Sequence, residues 1–451
     1  MCVYIQLNKG NSRKDSEKLC KISVNDIVQP RNPVCQAKVF GKHLENSAMK
    51  GMFDMDVSTL KEKIGQFVEE DASRLHAIAK EMYENPELGN QEFNSSSLLC
   101  EALREAGFHV EAPYMGIATA FKASLEGTVP GGRVGLLCEY DALPGIGHGC
   151  GHNLIGVMSV GAARALASVK EHLAGSIVVY GCPAEETNGA KVPLAKEGAF
   201  DDLDVAMQVH PGSEHAVGGT TLAIDALEFV FGGRTAHASG NPQDGINALD
   251  ACIQTFNGIN ALRQHVTPDV RIHGIIKEGG LAANVVPERA VAQFYVRAAK
   301  RSYLDEVVQK VIACAKAGAL MAGATMEYSN FEYSNDNLLS NKTLGDLWEQ
   351  QLALLGIKEE EITRNYGKDG KGSSDMGNVS HKAPSIHPSI SITDGVKVSG
   401  HSRDFAACTI ADSGKSATLL TAKALAFTAI ELLSSENAIS EIRKEFDAIK
   451  L

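Results

Sequence analysis

Short, almost wholly apolar strands alternate with helices along this chain, and that alternation constrains the fold more than any other feature. Arg133–Glu139 (RVGLLCE), Ser176–Tyr180 (SIVVY) and Asp204–Val209 (DVAMQV) read as strands. Leu154–Val169 and Lys191–Glu197 read as helices between them. Strands that are apolar on both faces must be covered on both. The prediction is an α/β fold, a mainly parallel sheet with helices on each side. Leu60, Ile64, Phe67, Leu75 and Ile78 fall at helical spacing, so the fold starts near Val57 and Pro86 stops the run. A second helix covers about Ser95–Ala106.

The period changes after residue 221. Leu222–Phe231, Val270–Ile276, Ala290–Val296 and Thr325–Phe331 read as strands, with helices over Ile246–Leu262 and Leu304–Met321. That order is βαββαβ, the ferredoxin-like unit. Past Asp336 the first pattern resumes, with a helix over Leu344–Leu355, a strand Ser385–Ile392 and a helix Lys415–Leu433. The main domain is therefore expected in two parts, 57–221 and 336–451, around an insert at 222–335. Residues 1–50 show no periodicity and read as a disordered extension; Met49, Met52 and Met55 offer alternative starts.

The chain has 451 residues, with 43 Lys+Arg against 55 Asp+Glu, a net charge of −12. It lacks the basic footprint that nucleic acids and anionic membrane surfaces require. No run of about 18 apolar residues marks a membrane span. The ten cysteines are scattered, and the N-terminus has no long apolar stretch of the secretory kind, which points to a reducing, cytoplasmic setting.

Polar clusters punctuate the strand ends, where ligands of such sheets bind. Cys150 and His152 stand one residue apart among glycines, a thiolate and an imidazole suited to zinc-like metals. The G-x-G-x-x-G phosphate spacing fails there, because Cys150 stands where a glycine is required. Glu185 and Glu186 follow a buried strand; one carboxylate can hold a metal while the other moves a proton, although a charged helix start would look the same. His210 and His401 complete a donor set with Cys150, His152 and Glu186, leaving Glu185 free as a base. In the insert, His237, Asn284 and Arg297 sit at loop tips or a strand end, where substrate clamping and ordinary solvation are both open.

In order and spacing, the segments LLCEYDALPGIGHGCGHNL, PAEE, VHP, AHASGNPQDGINALDA, HGIIKEGG, ANVVPE, GSSDMGNVS and HSRDF resemble metallopeptidase family 20, the aminoacylase and glutamate carboxypeptidase family. The likeness runs from about Val57 to the C-terminus. It implies a zinc-peptidase-like domain with an inserted lid or dimerisation domain, and one or two Zn2+ or Mn2+ ions per subunit. It implies metal ligands at Cys150, His152, Glu186, His210 and His401, with Glu185 as general base. It implies that His237 reaches the other subunit's site in a homodimer, and that Asn284 and Arg297 hold the substrate carboxylate. Many members carry H-x-D where this chain has Glu139-Tyr-Asp141. The usual first metal histidine is thus missing, Cys150 stands as the compensating ligand, and Asp141 as a partner orienting one. The implied reaction is hydrolysis of an amide in a small dipeptide or N-acyl amino acid, with a β-alanyl or similar group joined to a basic residue favoured. The competing readings are p-aminobenzoyl-glutamate-type hydrolysis and a non-catalytic dimeric adaptor; the intact Glu185 and ligand set argue against the adaptor.

Overall fold

The computed structural model describes residues 55–368, 370 and 372–450. The extension read at residues 1–50 lies outside the described residues. Six strands form the main sheet, in the order His109–Glu111, Phe121–Glu126, Ala174–Gly181, Val129–Cys138, Val205–Met207, Ser385–Ile386. The last four run parallel to one another, and the first two add an antiparallel edge that was not among the expected strands.

Side chains of a strand alternate between faces, and here each face has its own core. Leu136, Cys138, Ile177 and Val179 pack with the helices His152–Ala167 and Asp412–Leu433. Their sequence neighbours Leu137, Val178 and Tyr180 pack on the other side, with Leu194, Phe200 and Val379. Each fully buried aliphatic side chain of this kind stabilises the fold by about 1.5–3 kcal/mol. The first core joins residues from Leu60–Val217 with residues from Leu344–Ile442, so the chain on both sides of the insert builds one interior.

Helix Asp412–Leu433 is long and apolar enough to cross a membrane, but most of it is buried against His152–Ala167 and Val57–Glu70. The first apolar run is not one helix but two, Val57–Glu70 and Ala72–Glu84. Asp71 separates them, and its carboxylate takes both Nε and Nη2 of Arg164, at 2.7 and 2.8 Å.

The segment expected as one strand, Ser385–Ile392, is broken in two, and the expected strand Asp204–Val209 is shortened, with a separate strand following it. Val205–Met207 is followed by His210–Gly212, and Ser385–Ile386 by Ser389–Ser391. The first strand of each pair lies in the main sheet. The second enters a small sheet ordered Ile362–Arg364, His215–Val217, Ser389–Ser391, His210–Gly212. Pro388 has no N–H to continue a ladder, which explains the break. The two segments change sheets side by side, with Gln208 N–H donating to Ile386 O and His210 N–H to Pro388 O.

In the insert the strands run in the order Thr325–Asn330, Ala223–Gly232, Arg289–Ala298, Arg271–Glu278, all antiparallel. Helices Ala248–Leu262 and Arg301–Ala322 close a separate core around Phe229, Phe231 and Phe294. Arg301 clamps Asp225 with two hydrogen bonds of 2.9 Å.

Candidate active site and metal centre

Four neighbouring parallel strands deliver the site from their carboxyl ends. Glu139 and Asp141 follow Val129–Cys138, Glu185 and Glu186 follow Ala174–Gly181, His210 follows Val205–Met207, and His387 follows Ser385–Ile386. Helix His152–Ala167 starts at the site, entered through Gly151 at φ 82°. A Cβ at Gly151 would also stand 2.9 Å from Pro211 Cγ, so only glycine lets Cys150 and His152 approach His210. Ala184 and His401 hold left-handed backbone at φ 63° and 56°, strain of the kind found at ligand-presenting turns. The His401 N–H donates to Gly149 O at 2.8 Å.

The donor atoms converge. One atom each of Cys150, His152 and His210 lie within 4.8 Å of one another; the same holds for Cys150, Glu186 and His401, and for His152, Glu185 and Glu186. Cys150 Sγ is 3.5 Å from His210 Nε2, and His401 Nε2 is 3.2 Å from Glu186 Oε1. His152 Nδ1 is bound by Asp141 Oδ1 at 2.9 Å, and His210 Nδ1 by Pro211 O at 2.7 Å. A ring held at Nδ1 presents Nε2 to an ion. His152 Nε2 and Glu186 Oε1 are buried with no hydrogen-bond partner among the described residues. One thiol, three imidazoles and a carboxylate with two orphaned atoms fit a divalent ion of the zinc class.

The electrostatics agree with a site that exchanges protons for metal. Burial pushes the Cys150 thiol up to about 12, against the pull of His152. Burial, then His152, holds His210 below the usual imidazole value, which keeps it neutral and able to ligate. Burial opposes charge on His152, yet Asp141 and then Glu139 hold it well above the usual value. An ion must therefore displace protons from Cys150 and His152. Glu185 is pushed well above the ordinary carboxylate value by burial, then by Glu139 and Asp375.

The insert residues lie apart from this convergence. His237 is exposed, and its Nδ1 accepts from Ser239 and Gly240 N–H groups of its own loop at 3.3 and 3.2 Å. It belongs to none of the converging donor groups among the described residues. Asn284 is also exposed, its carbonyl accepting from Ala238 N–H. Arg297 is half-buried and reaches the main domain, where its Nη1 donates to Ser373 Oγ at 3.0 Å.

Two groups at the site escaped the sequence reading. His387 stacks edge-on against His210 with ring centroids 5.7 Å apart, and its buried Nε2 has no partner among the described residues. The signal was present, since His387-Pro388 repeats His210-Pro211. The second is a buried ion triad, Glu139–Lys191–Asp375, with Lys191 Nζ at 2.6 Å from each carboxylate. Lys191 heads the helix Lys191–Lys196 and carried no signal.

A fold of this kind with a metal-type donor set at its strand ends defines a metal-dependent hydrolase. The chain belongs to the M20 peptidase family. Residues 223–320 match the peptidase dimerisation domain of that family. The chain is 34% identical over 404 residues to the mouse (Mus musculus) Xaa-Arg dipeptidase, covering 87% of this chain and 93% of that protein. It is 33% identical over 317 residues to a p-aminobenzoyl-glutamate hydrolase chain of Escherichia coli, covering 66% of this chain and 65% of the other. Among solved structures it shares its fold with an aminobenzoyl-glutamate utilization protein from Klebsiella pneumoniae (TM-score 0.66, 20% identity, 82% of this chain and 98% of that one). A dinuclear metal-binding M20 peptidase from Bacillus subtilis superposes with TM-score 0.60 at 18% identity, over 81% and 99% of the two chains.

Proposed function

We propose that this chain is a dipeptidase that hydrolyses the amide bond of a small dipeptide carrying a basic C-terminal residue, with Glu185 as general base. The observation that carries the reading is the convergence of Cys150, His152, Glu186, His210 and His401 beside a second carboxylate left outside that ligand set. The substrate class is supported by the likeness to the Xaa-Arg dipeptidase over nearly the whole of that protein.

Cys150, His152, Glu186, His210 and His401 would hold one or two divalent ions, zinc or manganese. When bound, such an ion polarises the scissile carbonyl and makes water more acidic. Glu185, with its raised proton affinity, takes the proton of the attacking water at a carboxylate oxygen. It then gives that proton to the leaving amine, so the group ends as it began. Asp141 fixes the His152 ring, and Gly151 sets the approach of the Cys150–His152 pair. Arg297, whose Nη1 donates to Ser373 Oγ, would bind the substrate carboxylate. Among the described residues His237 joins no donor group of its own chain's site; a homodimer through the insert, in which it reaches the partner's site and donates to the oxyanion, would account for its exposed loop. A cytoplasmic location goes with this reading, as do the free cysteines Cys138 and Cys182 in the core.

The test is a screen of Xaa-Arg, Xaa-Lys, N-acyl amino acid and p-aminobenzoyl-glutamate substrates on metal-stripped and reconstituted protein. Metal-dependent turnover highest on dipeptides ending in Arg or Lys supports the reading. Preference for p-aminobenzoyl-glutamate replaces the substrate class, and no turnover on any substrate leaves the adaptor.

A further inference from the structure

The loop that carries Glu185 runs from Cys182 to Ala190; two carboxylates hold its backbone and a third holds the Lys191 N–H where it enters the next helix. Glu92 Oε1 accepts the Ala184 N–H at 2.9 Å, Asp141 Oδ2 accepts the Glu186 N–H at 2.9 Å, and Asp375 Oδ2 accepts the Lys191 N–H at 3.1 Å. At its far end Gly189 turns left-handed at φ 61°, and a Cβ there would stand 2.9 Å from Asp375 Oδ2. The loop is thus drawn tightly over Asp375, on a segment that comes from beyond the insert.

Oxygen atoms of Glu139, Glu185 and Asp375 lie within 4.8 Å of one another. Three carboxylates that close repel one another strongly in a dry site unless a cation sits among them. Lys191 is that cation. It is fully buried, at 0% exposure, and donates to Glu139 Oε1 and Asp375 Oδ1 at 2.6 Å each. The second oxygen of Glu139, Oε2, has no hydrogen bond among the described residues and faces His152 Nε2 at 3.4 Å. Lys191 therefore fixes the two acidic neighbours of Glu185 and, through its own backbone N–H, one end of the loop that Glu185 rides on.

We propose that Lys191 is a positioning residue for Glu185: pinned between Glu139 and Asp375, it sets where the Glu185 carboxylate stands relative to the metal pocket. The proposal rests on the reading of Glu185 as the base. Lys191 touches none of the five proposed metal ligands by hydrogen bond among the described residues, so its loss should act on turnover ahead of metal binding. Displacing a reacting group by about 1 Å can cost on the order of 10²-fold in rate.

The experiment is a double-mutant cycle on metal-reconstituted protein, with metal per chain and Tm measured on each variant. Lys191→Met should lower kcat by about 10- to 100-fold, change KM by less than about threefold, and keep full metal occupancy. In the Glu185→Gln background the same substitution should lower the residual kcat by no more than about twofold, because the group it positions is already gone. An equal loss in both backgrounds makes Lys191 merely structural and overturns the proposal, as does an unchanged kcat in Lys191→Met. If Lys191→Met does not fold, Asp375→Asn goes through the same cycle. Its amide has one acceptor oxygen where the carboxylate has two, so it cannot hold Lys191 Nζ and Lys191 N–H as the carboxylate does. The same two outcomes apply to it. Full activity in Glu185→Gln alone would strike the base assignment instead, a result separate from the behaviour of Lys191.

Discussion

Asp141 ties His152 to its neighbour on the next loop: one oxygen lies 2.9 Å from His152 Nδ1, and the other accepts the Glu186 N–H at 2.9 Å. Two proposed ligands from different strand ends are thus oriented by one carboxylate. This is how a site with only a few flexible donors acquires fixed geometry before an ion arrives.

Asp141→Ala should therefore weaken metal affinity by about 10- to 100-fold with the five ligands intact. Competition with a chromogenic chelator measures it. An unchanged dissociation constant would show that the His152 ring and Glu186 need no such support.

Metal uptake should release protons and tighten as pH rises. Burial holds the Cys150 thiol up at about 12, so at neutral pH an ion must displace its proton, and higher pH makes that displacement easier. Cys150→Ser should bind metal more weakly, because a neutral hydroxyl replaces a thiolate, and with a shallower pH dependence. Titration calorimetry in buffers of different ionisation enthalpy counts the protons. Equal proton release by wild type and Cys150→Ser would remove Cys150 from the ligand set.

His237 and Glu185 should complement each other across a dimer. His237→Ala and Glu185→Gln are each expected to be inactive as homodimers. After subunit exchange about half the dimers are mixed, each with one site holding an intact Glu185 and an intact His237 from its neighbour, so activity recovers to about a quarter of wild type by symmetry. Sedimentation confirms the dimer and mass spectrometry the exchange. No recovery after proven exchange would place His237 in its own chain's site or outside catalysis.

Much of the frame was legible because strand and helix periods are local. The apolar runs at Val134–Cys138 and Ile177–Tyr180 reported a sheet covered on both faces, and the βαββαβ order of the insert emerged from six segments with boundaries within a few residues. Of the candidate donors, Cys150 and His152 stood out within a glycine-rich stretch and Glu186 and His210 just past apolar strands, whereas His401, in the polar segment SGHSRDF, stood out only jointly with the others. What stayed hidden depends on contacts distant in sequence. Lys191 pairs with Asp375 across 184 residues and sits in a segment, KVPLAK, that reads as an ordinary helix. The break at His387 was invisible because a broken strand and a continuous one share the same apolar pattern, with only Pro388 to mark it; the short strand His210–Gly212 that follows Val205–Met207 was not expected at all. The antiparallel edge Phe121–Glu126 (FKASLE) alternates apolar and polar residues as a half-buried strand does, so its signal was present and was passed over in favour of the wholly apolar runs.

The most direct test of the central claim is kcat of Glu185→Gln at full metal occupancy. Gln keeps the shape of the side chain but cannot accept the proton of the attacking water. The variant should fold, bind the same number of ions per chain as wild type, and lose about 10²–10⁴-fold or more in kcat, since the group acts in both proton transfers. Wild-type turnover in a fully metal-loaded Glu185→Gln would contradict the account.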